Sequence, residues 1–260
     1  MGKKREFKRV PAVDKCFGVL ELFAGCERPL FISEIARTLK YNKSTVYNIL
    51  HTLADLDVLE HAKENTFRFG TTLYALGKSA SNGSELISTV HPYLEEINQR
   101  TRLSVFLGIR SDGHAVVLDK VDSPEDIKVS SETGMRIPLL AGAGGKVLLS
   151  LLPDSELDDI LSENKPKKFT PKSCADKKGY KELIKKARQD GFAFDDEEYI
   201  EGVRALAVPL HLHRDHLQAA LWIVGLKSQI KIETLHSLRS ILEETTKRIE
   251  SRFFLAPALP

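Results

Sequence analysis

Near its N-terminus the chain reads Ile32-Ser-Glu-Ile-Ala-Arg-Thr-Leu39 and then, after Lys40-Tyr41, Asn42-Lys-Ser-Thr-Val-Tyr-Asn-Ile-Leu50. Apolar residues recur in both segments at intervals of three and four, the spacing of one face of an α-helix. The inward set is Ile35, Ala36 and Leu39 in the first segment and Val46, Ile49, Leu50 and Leu53 in the second. Two short amphipathic helices joined by a tight turn form a helix-turn-helix, and we predict one here.

The second of these helices has an outer face that suits DNA. It carries hydroxyls, an amide, a cation and two rings that can hydrogen-bond, with no acidic residue among them: Lys43, Ser44, Thr45, Tyr47, Asn48 and His51. In a helix-turn-helix the second helix enters the major groove, with its N-terminal residues nearest the bases. We therefore predict base and phosphate contacts from Lys43, Ser44, Thr45, Tyr47 and Asn48.

A β-hairpin is predicted directly after this helix, in the place of a wing. Its strands are Val58–His61 and Thr66–Phe69, with Phe67 and Phe69 on one face. Arg68 falls on the opposite face, where it can reach a phosphate.

A further helix is predicted upstream, with a buried stripe of Val13, Cys16, Phe17, Leu20 and Phe23, ended by Gly25. Ser33 is the expected N-cap of the helix that follows. The competing interpretation is a small helical subdomain that only packs against the rest of the chain. The wing and the acid-free outer face favour a DNA-binding domain over residues 10–70.

The rest of the chain changes from helical to mixed patterns. Residues 71–84 are predicted to form a linker helix, and residues 85–255 a second domain that begins with a helix over 85–100. Strands are predicted at Ser104–Arg110, His114–Asp122, Ala205–Leu212 and Gln218–Leu226, and helices over about 143–152, 154–162, 177–190 and 230–253. Hairpins that flank helices, with the terminal helices on one face of the sheet, predict an α+β fold with a sandwich in its second domain.

Composition bounds the class of protein. With 260 residues, 42% hydrophobic and 28% charged, the chain suits two globular domains. No apolar run approaches the ~20 residues that span a bilayer, so no membrane partner is expected. Three scattered cysteines form no disulfide framework, which favours the cytoplasm. Residues 1–70 hold 12 Lys and Arg against 9 Asp and Glu. The basic arm Lys3–Arg9 suits either phosphate contacts or a solubilising tail.

Three groups of residues resemble other kinds of functional site. Gly142-Ala-Gly-Gly-Lys146 departs from the spacing of a nucleotide-binding phosphate loop. His211, His213 and His216 could converge on zinc, but they fall at a hairpin end where polar residues are ordinary. Asp195-Asp-Glu-Glu198 is interpreted as a solvated acidic loop, without a nucleophile and base pair beside it. We therefore expect no metal, no cofactor and no enzymatic activity.

The chain resembles the IclR-type transcription regulators over nearly its whole length. The helix-turn-helix segments quoted above resemble the family's own, and so do two later blocks. One is Gly134-Met-Arg-Ile-Pro-Leu139 with Ala143-Gly-Gly-Lys-Val-Leu-Leu-Ser150, and the other is Gly191-Phe-Ala-Phe-Asp195 with Gly202-Val203 and Ala207-Val-Pro-Leu210. The resemblance implies a GAF-like effector domain, and a homodimer or dimer of dimers on a palindromic double-stranded DNA operator.

The resemblance also implies an effector pocket in the second domain. Its helix start at Ala143, Gly144 and Gly145 would meet a carboxylate, and Asp195 matches an acidic position that lines the pocket. This chain departs from its relatives at Ala205, where they commonly carry Cys, and at Trp222 and Val224, where they often carry small hydroxyls. Either the pocket takes a larger, more apolar or aromatic ligand stacked on Trp222, or Trp222 closes it as a plain core aromatic.

One departure concerns DNA: relatives commonly carry Arg where this chain has Asn48. Asparagine can pair with adenine but cannot supply a cationic phosphate contact. The predicted function is a transcription regulator whose operator affinity is modulated by a small-molecule effector, expected to be an organic acid. The alternative is a ligand-independent sensor or assembly protein with degenerate DNA recognition.

Overall fold

A computed structural model of the chain describes residues 8–26, 28–63, 66–82, 85–111, 113–212 and 217–255. The chain divides into two units, Met1–Ser84 and Glu85–Pro260. Most of the basic arm predicted at residues 3–9 lies outside the described residues, although Arg9 forms an exposed ion pair with Asp14 at 2.9 Å.

The N-terminal unit is a helix-turn-helix followed by a wing. Its elements are α1 (Pro11–Ala24), β1 (Leu30–Phe31), α2 (Ile32–Leu39), α3 (Lys43–Asp55), β2 (Leu59–His61), β3 (Thr66–Phe69) and α4 (Thr71–Asn82). The strands form an antiparallel sheet in the order β1-β3-β2. Ile35, Val46, Leu50 and Phe67 are fully buried in its core, so the predicted inner faces of α2 and α3 are confirmed.

The prediction of the buried face of α1 is wrong, because a neighbouring face of the helix is buried instead. Val13 and Phe17 are 51% and 61% exposed, whereas Val19 and Phe23 are buried. The half-buried Cys16 and Leu20 pack beside them. Cys16, Val19, Leu20 and Phe23 satisfy helical spacing as well as the predicted stripe does, and packing against the other helices selects between the two.

The start of α2 also differs from prediction, because Ser33 is not its N-cap. The helix begins at Ile32, directly after β1, whose Leu30 pairs with Phe67 of β3. Glu34 accepts a hydrogen bond from the Phe31 backbone N–H at 3.0 Å and pairs with Arg28 at 2.8 Å. These hydrogen bonds, that from Arg28 foremost, lower the pKa of Glu34 to about 2. Because β1 pairs with the wing as far as Phe31, α2 begins at Ile32.

The C-terminal unit is built on a six-stranded antiparallel sheet. Its elements are α5 (Glu85–Thr101), β4 (Ser104–Ser111), β5 (His114–Val121), β6 (Arg136–Pro138), α6 (Gly142–Ser150), α7 (Asp154–Glu163), α8 (Lys177–Asp190), β7 (Ala193–Asp196), β8 (Val203–His211), β9 (Gln218–Leu226) and α9 (Leu235–Leu255). The strand order is β6-β5-β4-β9-β8-β7. The α+β fold class is confirmed.

Strand alternation gives this sheet two packed faces. On β9, Ala220 and Trp222 pack towards α6, α7 and α8, whereas Leu221 and Ile223 pack towards α5 and α9. The prediction that the two terminal helices share one face of the sheet is confirmed. The other face, between the sheet and α6, holds the cavity described below.

The sequence analysis did not predict the edge strands β6 and β7. It therefore assigned the acidic residues of β7 wrongly. Asp195 and Asp196 belong to β7 rather than to a solvated loop, and Asp195 is only 5% exposed. Asp196 accepts a hydrogen bond from the nearly buried Arg204 of β8 at 2.6 Å. Backbone pairing with β8 and this cation hold the acids in the sheet.

The described part of the chain lacks two further kinds of feature, a membrane-spanning helix and a metal site. Each helix in the described part of the chain is too short or too polar to cross a membrane. Across the same residues no group of His, Cys, Asp and Glu side chains is arranged to hold a metal ion. His213 and His216, weighed above as zinc ligands, lie outside the described residues.

Candidate DNA-binding face and effector cavity

The outer face of α3 presents most of the residues predicted to contact DNA. Lys43, Ser44, Tyr47 and Asn48 are exposed, and Thr45 is half-buried. Lys43 is the first residue of α3, where the helix dipole disfavours a cation. A phosphate at the start of α3 would interact favourably with both the Lys43 cation and the helix dipole. The start of α3 therefore favours an anionic partner.

Arg68 lies on β3 of the wing and is exposed, but it is paired. Its Nε donates to Glu60 Oε1 of β2 over 2.6 Å, across the register pair Glu60–Arg68. Exposed ion pairs contribute little to stability, so Arg68 can exchange Glu60 for a phosphate at small cost.

Sequence reasoning missed a row of rings that joins α3 to the wing. Tyr47 lies 4.1 Å from His51, His51 lies 5.5 Å from His61, and His61 lies 4.6 Å from Phe67, measured between ring centroids. The row forms only when β2 pairs with β3, because this pairing places His61 directly opposite Phe67.

All seven residues predicted to bind an effector line one cavity of the C-terminal unit. Its open space is about 600 Å³, including the mouth. The predicted residues there are Ala143, Gly144, Gly145, Asp195, Ala205, Trp222 and Val224. Apolar side chains of β4, β6 and β8 complete the walls, with Ser131 and Tyr199 as further polar members. The sequence analysis did not predict Phe106 as a lining residue. Pairing of β4 with β9 places it opposite Trp222.

Trp222 forms a wall of the cavity rather than its interior. Its ring lies 6.0 Å from that of Phe106 at an interplanar angle of 22°, and the residue is 4% exposed. On its other side the indole lies close to α6, where a Cβ on Gly144 would come within 3.2 Å of it. Glycine at this position therefore lets the helix start approach the indole.

The polar end of the cavity is the N-terminus of α6 beside Asp195. The first N–H groups of a helix have no partner within it, and none of the described side chains caps α6. A Cβ on Gly142 would lie 3.4 Å from Asp195 Oδ2, while Asp195 Oδ1 accepts a hydrogen bond from the Glu198 N–H at 2.6 Å. Burial raises the pKa of Asp195 to about 6. This end can meet a hydroxyl or a carboxyl group.

A buried ion pair stands behind this polar end. Lys146 of α6 donates to Glu198 Oε1 at 2.7 Å and to the Phe194 carbonyl at 2.6 Å, with its side chain 4% exposed. The pair ties α6 to the segment that carries Asp195 and Tyr199. Lys146 does not line the cavity, and no described cationic side chain does.

A helix-turn-helix with a wing, in a chain whose second unit encloses an apolar cavity with one polar end, defines the class of winged helix-turn-helix transcription regulators. Residues 12–62 match the model of the IclR helix-turn-helix domain, and residues 78–251 match that of the bacterial transcriptional regulator IclR C-terminal domain. The chain therefore belongs to the IclR family of bacterial transcription regulators.

Individual relatives agree with this assignment. The HTH-type transcriptional regulator XynR of Escherichia coli K12 is 28% identical over 236 residues, 90% of this chain and 94% of XynR. A crystal structure of an IclR transcriptional regulator from Alicyclobacillus acidocaldarius covers 94% of this chain and 99% of its own, at 24% identity and a TM-score of 0.83. An IclR homologue from Microbacterium hydrocarbonoxydans, crystallised with 4-hydroxybenzoate, covers 94% and 100%, at 23% identity and a TM-score of 0.77.

Proposed function

We propose that this regulator binds its operator through α3 and the wing, and that a small organic acid in the cavity beside α6 changes its operator affinity. One observation carries the effector half: seven residues scattered from 143 to 224 line a single apolar cavity whose polar end is an uncapped helix start. The proteins to which this chain is related are regulators, so we propose no catalytic turnover. Because it would act on chromosomal DNA, we propose that the protein works in the cytoplasm.

The cavity's charges define the effector further. An acid would accept hydrogen bonds from the N–H groups at the start of α6, with support from the helix dipole. Because no described cationic side chain lines the cavity, one negative charge is the most that it accommodates well. Asp195 would pair with a hydroxyl or a protonated carboxyl of the ligand. A monocarboxylic acid fits this arrangement.

The body of the effector would be apolar or aromatic. The stacked rings of Trp222 and Phe106 give one wall, and Ala205 and Val224 leave space beside it. An open cavity beside Trp222 supports the aromatic-ligand alternative over a closed pocket. The relative crystallised with 4-hydroxybenzoate supports the same class of ligand.

On the DNA side, Lys43, Ser44, Thr45, Tyr47 and Asn48 would make base and phosphate contacts, and Arg68 a wing contact. A homodimer, or a dimer of dimers, would present recognition helices about 34 Å apart to a palindromic operator. Light scattering on the free protein and on its DNA complex would establish the copy number.

The test combines DNA binding and ligand binding. We would measure gel shifts on the DNA upstream of the protein's own gene with excess non-specific competitor, then add aromatic and aliphatic monocarboxylic acids. Calorimetry of the same acids without DNA reports the cavity directly. We expect a competitor-resistant shift that at least one aromatic acid changes.

A cavity variant and a matched control assign the response. Ala205→Met fills the cavity and should abolish the response while keeping the shift, whereas Ser237→Met on an exposed position of α9 should change neither. Absence of a resistant shift, on this DNA and on sites selected from random duplexes, would contradict the DNA-binding half. If no acid bound either, the result would support the alternative of a ligand-independent sensor or assembly protein. A resistant shift with no acid bound would contradict the effector half alone.

A further inference from the structure

His51 and His61 are brought together at the junction of α3 and the wing. Their rings lie 5.5 Å apart between centroids, in the middle of the row that runs from Tyr47 to Phe67. His51 is half-buried and His61 is exposed. They are the only histidines in the sequence of the N-terminal unit, Met1–Ser84.

The surroundings of His61 are open to an anion. His61 lines a surface cleft together with the cations Arg28, Lys63 and Arg68. Arg28 and Arg68 are each paired with a glutamate. Among the described residues no ion pair is formed by Lys63, His51 or His61.

The charged and titratable neighbours do not neutralise the pair. On α3 these are Tyr47, whose ring is tilted by 43° against that of His51, and Asp55, one helical turn further on. Among the described residues Asp55 forms no ion pair with His51. On the wing they are Lys63, in the connection between the strands, and Glu60 and Arg68, which pair with each other.

From this geometry we propose that His51 and His61 form a phosphate-binding site of the DNA backbone, and that binding there takes up protons. The inference rests on the proposed DNA-binding function and extends it. With the start of α3 in the major groove, the later turns of α3 and the wing lie over the flanking backbone. Imidazolium donates from both ring nitrogens and is the side chain that gains its charge between about pH 5 and 8.

A phosphate beside the two rings would make proton uptake depend on DNA. An opposite charge nearby stabilises the imidazolium form over the neutral one. Proton uptake therefore accompanies binding, and the affinity for DNA rises as the pH falls.

The competing explanation is that the rings only hold the wing against α3. His51 meets Phe67 edge-on at 5.7 Å and 86°, a favourable aromatic geometry for neutral rings as well. A packing role predicts that substitution changes folding stability but leaves the pH dependence of DNA binding as it was.

The experiment measures binding of the full chain to a labelled duplex of about 30 base pairs and arbitrary sequence, at low constant ionic strength, where phosphate contacts dominate. For the unaltered protein we expect affinity at about pH 6 to exceed that at about pH 8 by roughly tenfold, the change for one linked proton over one pH unit. Calorimetry in two buffers of different ionisation enthalpy should show net proton uptake at about pH 7.

Three variants assign the effect. His51→Gln and His61→Gln should each lose most of the pH dependence, and His61→Lys should keep the high affinity at about pH 8 because its charge is permanent. His236→Gln, on an exposed position of α9, is the matched control and should behave as the unaltered protein. Thermal melts of each variant establish that it is folded.

Two results would overturn the inference. One leaves the proposed DNA-binding function intact, and the other contradicts that function as well. DNA binding with the same pH dependence in the His→Gln variants and the unaltered protein, or without proton uptake, overturns the histidine site alone. Absence of binding to any duplex at every pH overturns the proposed function and the histidine site together.

Discussion

Gly108 of β4 lies so close to the indole of Trp222 on β9 that no side chain fits between them. A Cβ built on Gly108 would come within 2.2 Å of Trp222 Cη2 and 3.0 Å of the Val116 carbonyl oxygen. The pairing of β4 with β5 shifts register at Leu107 and Gly108, the kind of irregularity at which glycine is common in strands. Trp222 can form the cavity wall because this position is glycine.

Gly108→Ala should therefore destabilise the C-terminal unit and distort its cavity. The added methyl group meets a rigid ring on one side and backbone on the other, so we expect a loss of about 1–3 kcal/mol in the free energy of unfolding. Denaturant melts measure it, with Gly77→Ala as the control. Gly77 lies in α4 with no atom within 4 Å of an added Cβ, and alanine there should be neutral or stabilising. Equal stability of both variants would contradict the packing described.

The buried Lys146–Glu198 pair yields a second prediction. Lys146→Met leaves Glu198 without its cation and the Phe194 carbonyl without its donor. Glu198 is only partly buried, so we expect a loss of about 3 kcal/mol, at the low end for buried pairs. A double-mutant cycle with Glu198→Gln should show coupling of about 0.5–3 kcal/mol. Lys185→Met, which removes the exposed pair with Glu182, should leave stability unchanged. Additive effects at 146 and 198 would show that the pair is not coupled.

The raised pKa of Asp195 predicts a change of stability with pH. Burial raises it from 3.8 to about 6, so between these values the folded protein keeps a proton that the unfolded chain loses. Stability from this residue therefore falls as pH rises from about 4 to about 6, and the full cost, on the order of 2–3 kcal/mol, remains above that. Asp195→Asn should remove the cost. The difference in unfolding free energy between the two proteins should grow over this range and then level off. A constant difference would show that Asp195 does not titrate there.

The sequence predicted most of the elements that carry their own periodicity. The strand Gln218–Leu226 was predicted with the bounds observed, and α2 and α3 with their inner faces, because eight or more residues of regular alternation or helical spacing identify an element without its neighbours. Trp222 and Val224 on one face of β9, with Leu221 and Ile223 on the other, followed from the same alternation.

The predictions that failed concerned features that depend on packing or pairing with other elements of the chain. The strand at Leu30–Phe31 exists because β3, more than thirty residues later, pairs with it, and two residues hold no pattern. The face of α1 was misassigned because two helical stripes overlap in its sequence. The burial of Asp195 came from a strand of four residues whose acids look solvated until Arg204 and β8 are in place.

The cavity was found from family resemblance together with residue type, whereas its missing members needed the sheet. Phe106 and Trp222 are more than a hundred residues apart and meet only through the register of β4 with β9. The ring row of α3 and the wing is similar, because His61 turns towards His51 only when β2 pairs with β3. Local spacing cannot supply either relationship.

Lys43 and Arg68 provide the last prediction, on the strength and salt dependence of DNA binding. Each is exposed on the proposed DNA-binding face, and Arg68 would exchange an exposed partner, Glu60, for a phosphate. Lys43→Ala or Arg68→Ala should weaken binding to any duplex and reduce the slope of log affinity against log salt by about 1, because one fewer counterion is displaced. Titrations at several salt concentrations measure both quantities. Lys247→Ala, on an exposed position of α9, is the matched control and should change neither. If both variants had the same salt slope as the control, Lys43 and Arg68 would not contact phosphate. The slope depends on the number of displaced counterions and not on the sequence of the DNA.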